Sequence, residues 1–519
     1  MQLSLSFSAL LAGVLVALSV PDVQAAPYKR APKMVTLPLK RIQARSDVHP
    51  QILLQQNLNR ASRRLARFTG REAPSDEVLT AALHKRVLEI EGPEGLERRI
   101  YRVGHAGAPS KRFNRTGVPS KDKDKREPKK NGKKGGAAAA GAGTAAAGAG
   151  TAATGSTPTG ANTAIGGPDS ATGVEVADTP TTSNSLGLNI EGQDIGYLAT
   201  IQLGTPPQNY LILMDSGSAD FWVPSEACQS TAGGDCGNHL TLGSQSSSSF
   251  VATTNPFQVT YGTGAVEGAI ISDDVTIAGL TLNNHTFGVT TQETTDFSDD
   301  SVPFDGLMGL ALSSLSEQQT PTPVESLASN GLISDAITSY KISRESDDLN
   351  DGEITFGATD PTKFVANTLV TIPNVNTQGF WEGALDDITV DGGSVGLQGR
   401  TAILDTGTSL AVAPLADATA LFALINGSTS DGQGGFTVPC TFNQSIALTF
   451  GGTSFAIEPQ DIAVAPVDAN DPTGDCTAGI GGGSFGTSDT EWLVGDTFLK
   501  NAYYSTDVGK NQISLAKLS

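Results

Sequence analysis

Leu213-Met214-Asp215-Ser216-Gly217-Ser218 and Ile403-Leu404-Asp405-Thr406-Gly407-Thr408-Ser409 decide how this chain is read. Each is an apolar run ending in Asp, a hydroxyl residue, Gly and a second hydroxyl residue. The apolar run reads as a buried strand, and the Gly as a turn where the backbone is crowded. An acid at the end of a buried strand needs hydrogen bonds or a shifted pKa, because burying an unpaired charge is costly. A single stretch of this kind is compatible with a structural turn. Two of them, a domain's length apart, predict two lobes that each offer one carboxylate to a shared site.

Outward from these stretches, an apolar pair followed by Gly appears after each, at Leu307-Met308-Gly309 and Leu493-Val494-Gly495. Short β-type runs punctuated by Gly and Asn begin near Leu186, for example Leu198–Leu203, Tyr210–Met214, Ala269–Ile277, Glu353–Phe356 and Ile446–Phe450. Helical patterns are few, with Pro323–Ser329 and Leu415–Ile425 the best. The expectation is a mainly β, two-lobed body with its active-site cleft between the lobes. Residues 186–370 would form the amino-terminal lobe and 371–519 the carboxyl-terminal lobe.

The remaining chain is of other kinds. Residues 1–25 hold an apolar run, Leu10 to Val20, and then Val23-Gln24-Ala25, which reads as a signal peptide although its first basic residue comes only at Lys29. The run is too short to span a bilayer, and the tail carries no lipid-anchor signal. Residues 26–134 carry 27 basic and 11 acidic residues, a surplus of 16 positive charges, whereas 42 acids and only 7 bases follow Lys134. The two parts should attract each other at neutral pH. Leu54, Leu58, Ala61, Leu65 and Phe68 recur at helical spacing among arginines, and Leu79, Leu83, Val87 and Ile90 repeat the pattern. A membrane-surface helix and a nucleic-acid role compete for this basic stretch; docking on the acidic body is preferred. Nine dibasic pairs, from Lys29-Arg30 to Lys133-Lys134, suggest cutting by a dibasic-specific protease. Residues 135–185 are Gly, Ala, Thr, Ser and Pro, a flexible linker that cannot bury enough surface to offset ordering entropy.

Cys228, Cys236, Cys440 and Cys476 allow three pairings, of which the local ones, Cys228–Cys236 and Cys440–Cys476, are simplest. Cys/His spacing gives no support for zinc, and no metal or other cofactor is expected. Asn114, Asn284, Asn426 and Asn443 begin glycosylation sequons.

Five features in order now resemble the pepsin-like aspartic peptidases across nearly all of 186–519. They are the hairpin Tyr197–Gln208, the segment Asp215–Pro224, the flap-like Tyr261-Gly262-Thr263-Gly264, the second motif Ala402–Ser409 and the repeated apolar-apolar-Gly. The resemblance implies a secreted acid endopeptidase, made as a zymogen with its own propeptide as inhibitor, acting as a monomer on proteins and peptides. Release from the cell is favoured over a vacuolar address. Asp215 and Asp405 would be the catalytic pair. Carboxylates about 3 Å apart cannot both ionise and share one proton, behaviour for which this enzyme class is the standard example. Ser218 and Thr408 would donate to the outer carboxylate oxygens, and Ser216 and Thr406 would bond across the lobe interface. Gly217 and Gly407 would let the backbones meet. Ser216 departs from the commoner Thr. Tyr261 would close over bound peptide with its hydroxyl toward Trp222. Thr263, where some fungal relatives have Asp, implies large apolar residues on both sides of the cut.

Two rival readings are weaker. Gly482-Gly483-Ser484-Phe485-Gly486 fits the serine-hydrolase pattern, but no His follows Ser484. A catalytically silent binding module would be expected to lose an Asp, a motif Gly or the flap Tyr, and all are present. A cation of the basic segment is expected to pair with Asp215 and Asp405, its identity open.

Overall fold

The computed structural model describes residues 35–40, 48–68, 74–104, 177, 188–190, 194, 196–262, 264–347, 350–483 and 490–519. Residues 1–25, expected to be a signal peptide, lie outside these residues, as do Asn114, Thr263, Ser484 and, apart from Ala177, the 135–185 stretch.

The order of elements follows the switch in sequence pattern. A short strand, β1 (Val35–Lys40), precedes two helices, α1 (Pro50–Phe68) and α2 (Asp76–Gly104). In helix α1 the buried Leu54, Leu58 and Ala61 recur on one face, while Ile52 and Ala66 are buried on the opposite side. Helix α2 runs beyond the expected pattern and kinks at Gly92-Pro93, where Gly92 takes a φ of 70° and proline cannot continue the hydrogen-bond ladder. From there on the described chain is strands with short helices.

A 14-stranded sheet joins β1 to β2 (Leu188–Ile190), β3 (Tyr197–Leu203), β4 (Gln208–Asp215), β5 (Phe221–Ser230), β6 (Val251–Thr260), β7 (Ala265–Ile277), β8 (Leu280–Glu293), β9 (Gly306–Gly309), β10 (Ile337–Lys341) and β11 (Glu353–Phe356), together with strands 370–373, 503–507 and 512–516. Strand β1 lies inside it, antiparallel to β11 with Val35 opposite Phe356, and parallel to β2 with Leu39 opposite Leu188. The carboxyl-terminal lobe contributes a five-stranded sheet and two four-stranded sheets.

The internal repeat is visible in strand register. In the first lobe β4 runs parallel to β9, placing Leu213 opposite Leu307 and Asp215 opposite Gly309. In the second, strand 400–404 runs parallel to strand 491–494, placing Ile403 opposite Leu493 and Leu404 opposite Val494. A second strand then pairs antiparallel with each of these apolar pairs, Trp222 with Leu307 and Val412 with Leu493. The glycine that follows is sterically required. A Cβ on Gly309 would lie 2.5 Å from Ala219, and one on Gly495 would lie 1.9 Å from the Thr408 carbonyl. The apolar-apolar-Gly signature therefore marks the strand that supports each Asp loop from below.

The helix expected over 415–425 ends at Phe422, and that over 323–329 matches, with Glu325 accepting from the Thr322 amide at 2.9 Å and Pro323 in the first turn. Both local disulfides form, Cys228–Cys236 and Cys440–Cys476.

Candidate active site

The two Asp loops meet at the lobe interface. The Asp215 and Asp405 side chains have no solvent exposure. In each loop the amide two residues on donates to Oδ1, Gly217 to Asp215 and Gly407 to Asp405, both at 2.9 Å. The hydroxyl three residues on donates to Oδ2, Ser218 to Asp215 at 2.7 Å and Thr408 to Asp405 at 2.6 Å. These bonds offset part of the cost of burying the carboxylates.

The loops are tied together by the first hydroxyl of each. The Ser216 amide donates to Thr406 Oγ1 and the Thr406 amide to Ser216 Oγ, both at 3.0 Å. The hydroxyls in turn donate to main-chain carbonyls across the interface, Thr406 to Met214 at 2.9 Å and Ser216 to Leu404 at 3.2 Å. Serine at position 216 keeps this reciprocal pattern, because only the hydroxyl takes part. A Cβ on Gly217 would lie 2.4 Å from Asp405 Oδ1, and one on Gly407 would lie 2.5 Å from Asp215 Oδ1. Any side chain there would push the carboxylates apart.

Strands β6 and β7 form a hairpin whose tip carries Tyr261 and Gly262. The Tyr261 hydroxyl accepts from Trp222 Nε1 at 2.7 Å, and both side chains pack on Phe297. Asn284, Asn426 and Asn443 are exposed. The thiol and carboxyl atoms of Cys228, Cys236 and Glu293 cluster, but the sulfurs are joined as a disulfide and offer no thiolate.

The sequence left one participant unnamed, and it is Arg64 of helix α1. Its guanidinium reaches both carboxylates: Nη2 bonds to Asp215 and, at 2.8 Å, to Asp405 Oδ1, while Nε lies 2.5 Å from Asp405 Oδ2. Its Nη1 donates to the Gly407 carbonyl at 3.3 Å. Burial alone would lower the Arg64 pKa, but the two carboxylates outweigh it and the net direction is upward. Asp405 is pushed up to about 6, mainly by burial; Asp215 also raises it, while Arg64 and the bonds from Thr408 and Gly407 pull it down.

Helix α1 covers the Asp405 side of the cleft as well. Leu54, Leu58 and Ala61 pack with Phe380, Ile403, Leu410, Val412 and Leu493. A Cβ on Gly262 would lie 2.4 Å from the Arg60 carbonyl, so the hairpin tip rests directly on the helix. Arg64 and Arg86 are the second members of two dibasic pairs, Arg63-Arg64 and Lys85-Arg86. Read from sequence alone, such pairs look like processing sites. Here both arginines sit in helices and form ion pairs, Arg86 with Asp431 at 2.5 Å. Periodicity held the missed signal: Arg64 lies ten positions after Leu54 and three after Ala61. Its target was invisible without the fold.

The eukaryotic aspartyl protease family model matches residues 196–518. The chain belongs to the eukaryotic aspartyl protease family. It is 36% identical over 343 residues to a probable aspartic-type endopeptidase CTSD of Trichophyton verrucosum, a match covering 66% of this chain and 65% of that one. It is 37% identical over 351 residues to the aspartic-type endopeptidase ctsD of Aspergillus fumigatus, covering 67% of this chain and 70% of that one. It is 32% identical over 331 residues to pepsin A of Bos taurus, covering 63% and 85%. The match to the Trichophyton relative thus spans just under two thirds of that protein's length. The described β-rich, two-lobed architecture is that of an aspartyl protease.

Proposed function

We propose that this aspartyl protease is a secreted endopeptidase that hydrolyses peptide bonds in proteins at acidic pH, with Asp215 and Asp405 as the catalytic pair. The observation that carries the reading is the convergence of two fully buried carboxylates, each held by an equivalent amide and hydroxyl, at one lobe interface. One carboxylate takes a proton from an attacking water, and the other protonates the developing oxyanion and then the leaving amine. Loss of proteolysis on acid-denatured protein at pH 3 in Asp215→Asn and in Asp405→Asn tests the assignment. Activity that survives both sinks it. Inhibition by pepstatin is the complementary expectation.

The chain is made as a zymogen in this reading. Residues 26–134 form the propeptide, 135–185 the linker, and 186–370 and 371–519 the two lobes. Three contacts support the inhibitory role: β1 within the sheet, Arg64 on both aspartates, and the apolar face of α1 in the cleft. Acid favours release, because protonation of Asp405 as pH falls through about 6 removes one of the two charges that Arg64 neutralises. Self-activation that runs equally fast at pH 7 and pH 3, with no other protease present, would refute this latch. Sequencing the amino terminus of secreted protein separates self-processing from cutting near Lys133-Lys134.

Large apolar residues flank the preferred cut. Support comes from the two apolar clusters beside the aspartates, one around Trp222, Tyr261 and Phe297, the other around Phe380, Ile403 and Leu493. Comparing cleavage of Phe-Phe and Lys-Ile peptides tests the preference, and a strong choice of Lys defeats it.

A further inference from the structure

Helix α1 reaches the aspartates with Arg64 near one end and a hairpin of the carboxyl-terminal lobe near the other. A Cβ on Gly435 of that hairpin would lie 3.2 Å from Leu54, and one on Gly481 would lie 2.5 Å from Leu58. The hairpin is anchored to the cleft wall, since the Gly482 amide donates to the Gly434 carbonyl at 2.7 Å. At its tip stands Asp431, whose Oδ1 accepts from the amides of Gln433 at 2.6 Å and Gly435 at 3.0 Å. Its Oδ2 lies over Gly435, where a Cβ would come within 1.9 Å of it, and Nη2 of Arg86 donates to it at 2.5 Å. The Arg86 side chain is only 3% exposed there, and Nη2 also donates to Gln55 Oε1 at 3.2 Å. A guanidinium is therefore already seated against a carboxylate whose other oxygen is fixed by its own loop.

Resting on the endopeptidase reading above, we propose that Asp431 is a specificity-determining residue that binds a basic side chain of the substrate, with Arg86 holding its place in the full-length chain. Ten helical residues from Leu54 to Arg64 span about 15 Å at 1.5 Å per residue. An extended peptide covers that distance in about four or five residues. The favoured substrate therefore has Arg or Lys about four or five residues from the scissile bond. Arg suits the site better than Lys, because a planar guanidinium makes directed bonds to a carboxylate.

The test uses the processed enzyme at pH 5 and peptides sharing one scissile sequence. Each carries Arg or Gln at a single position two to six residues from the cut, on either side. At one position Arg raises kcat/KM about tenfold over Gln, an ion-paired contact at a cleft rim being of that order. The ratio shrinks at 0.5 M NaCl through screening. It falls to about one in Asp431→Asn and inverts toward Glu in Asp431→Lys, with thermal melts reporting that each variant is folded. A processed enzyme that cuts the whole series but shows no Asp431-dependent Arg preference at any position overturns the proposal alone. One that cuts no peptide at all overturns the endopeptidase reading beneath it.

Discussion

Asp215 and Asp405 make matching local bonds, yet the lobes behind them differ. Beyond the supporting Gly309 the first lobe continues with Leu310, fully buried, whereas beyond Gly495 the second continues with Asp496, also fully buried. Among the described residues neither carboxylate oxygen of Asp496 has a hydrogen-bond partner. The first lobe in turn buries His285 beside the stacked rings of Phe221 and Phe287. Burial holds Asp496 well above the usual carboxylate range despite Lys500, with Asp405 and Asp194 adding to the rise. Burial also lowers His285 to about 4. A shared scaffold can thus carry opposite pH liabilities. His285 favours the fold at neutral pH and Asp496 favours it in acid.

The symmetry of the pair gives the largest expected effect. Asp215→Asn and Asp405→Asn should each lower kcat on a peptide by at least about 10³-fold, within the range for losing an essential acid–base group. A variant that kept a tenth of the activity would show that the matching bonds do not mean matching roles. Arg64→Gln comes next. Removing one partner of a buried ion pair is strongly destabilising, so the full-length chain at pH 6 should self-process about 100-fold faster. An unchanged rate, followed by gel, would place latency elsewhere.

The difference between lobes is tested by stability. For His285 the folded pKa is depressed from 6.5 to about 4, so its contribution is complete above 6.5 and is lost as pH falls through 4. His285→Phe should therefore gain roughly 3 kcal/mol relative to the parent between pH 7 and pH 3.5, from thermal melts. Parallel pH profiles would show that His285 is not the acid-sensitive group. The sign is opposite for Asp496: its folded pKa is raised, so its contribution is present at low pH and lost as pH rises. Asp496→Asn should stabilise the protein at pH 7.5 relative to pH 4 by about 2 kcal/mol, the smallest of these effects. A gain at pH 4 instead would reverse the argument.

The few cations of the acidic region are nearly all used. Scarcity of Lys and Arg suggests little reliance on ion pairs in acid. Six of the seven are paired, with Lys341, Arg344, Lys363, Arg400, Lys500 and Lys510 each on a carboxylate. Lys500 bridges Asp194 and Asp461, and Arg344 joins the same Asp461, so one cluster ties together distant segments.

Much of the cleft was legible because local rules govern it. A buried strand needs apolar residues, a crowded turn needs Gly, and a buried carboxylate needs nearby donors. Each rule acts within four residues, so Asp215–Ser218 and Asp405–Thr408 could be read directly, and the repeated Leu-Met-Gly and Leu-Val-Gly marked the second strand of each support. Arg64, Arg86 and Asp431 were not legible in that way. Their ionic partners lie far off in sequence, 151 residues for Arg64 to Asp215, 341 for Arg64 to Asp405 and 345 for Arg86 to Asp431. Charge composition announced that the basic and acidic regions attract, but net charge has no direction. Only the packing of Leu54, Leu58 and Ala61 into the cleft fixed the rotation of α1, and that rotation chose Arg64 among the basic residues beside it. The sequence by itself determined the two carboxylates and their local cradles; the tertiary structure alone decided which cation covers them, because that choice depends on how two distant surfaces fit.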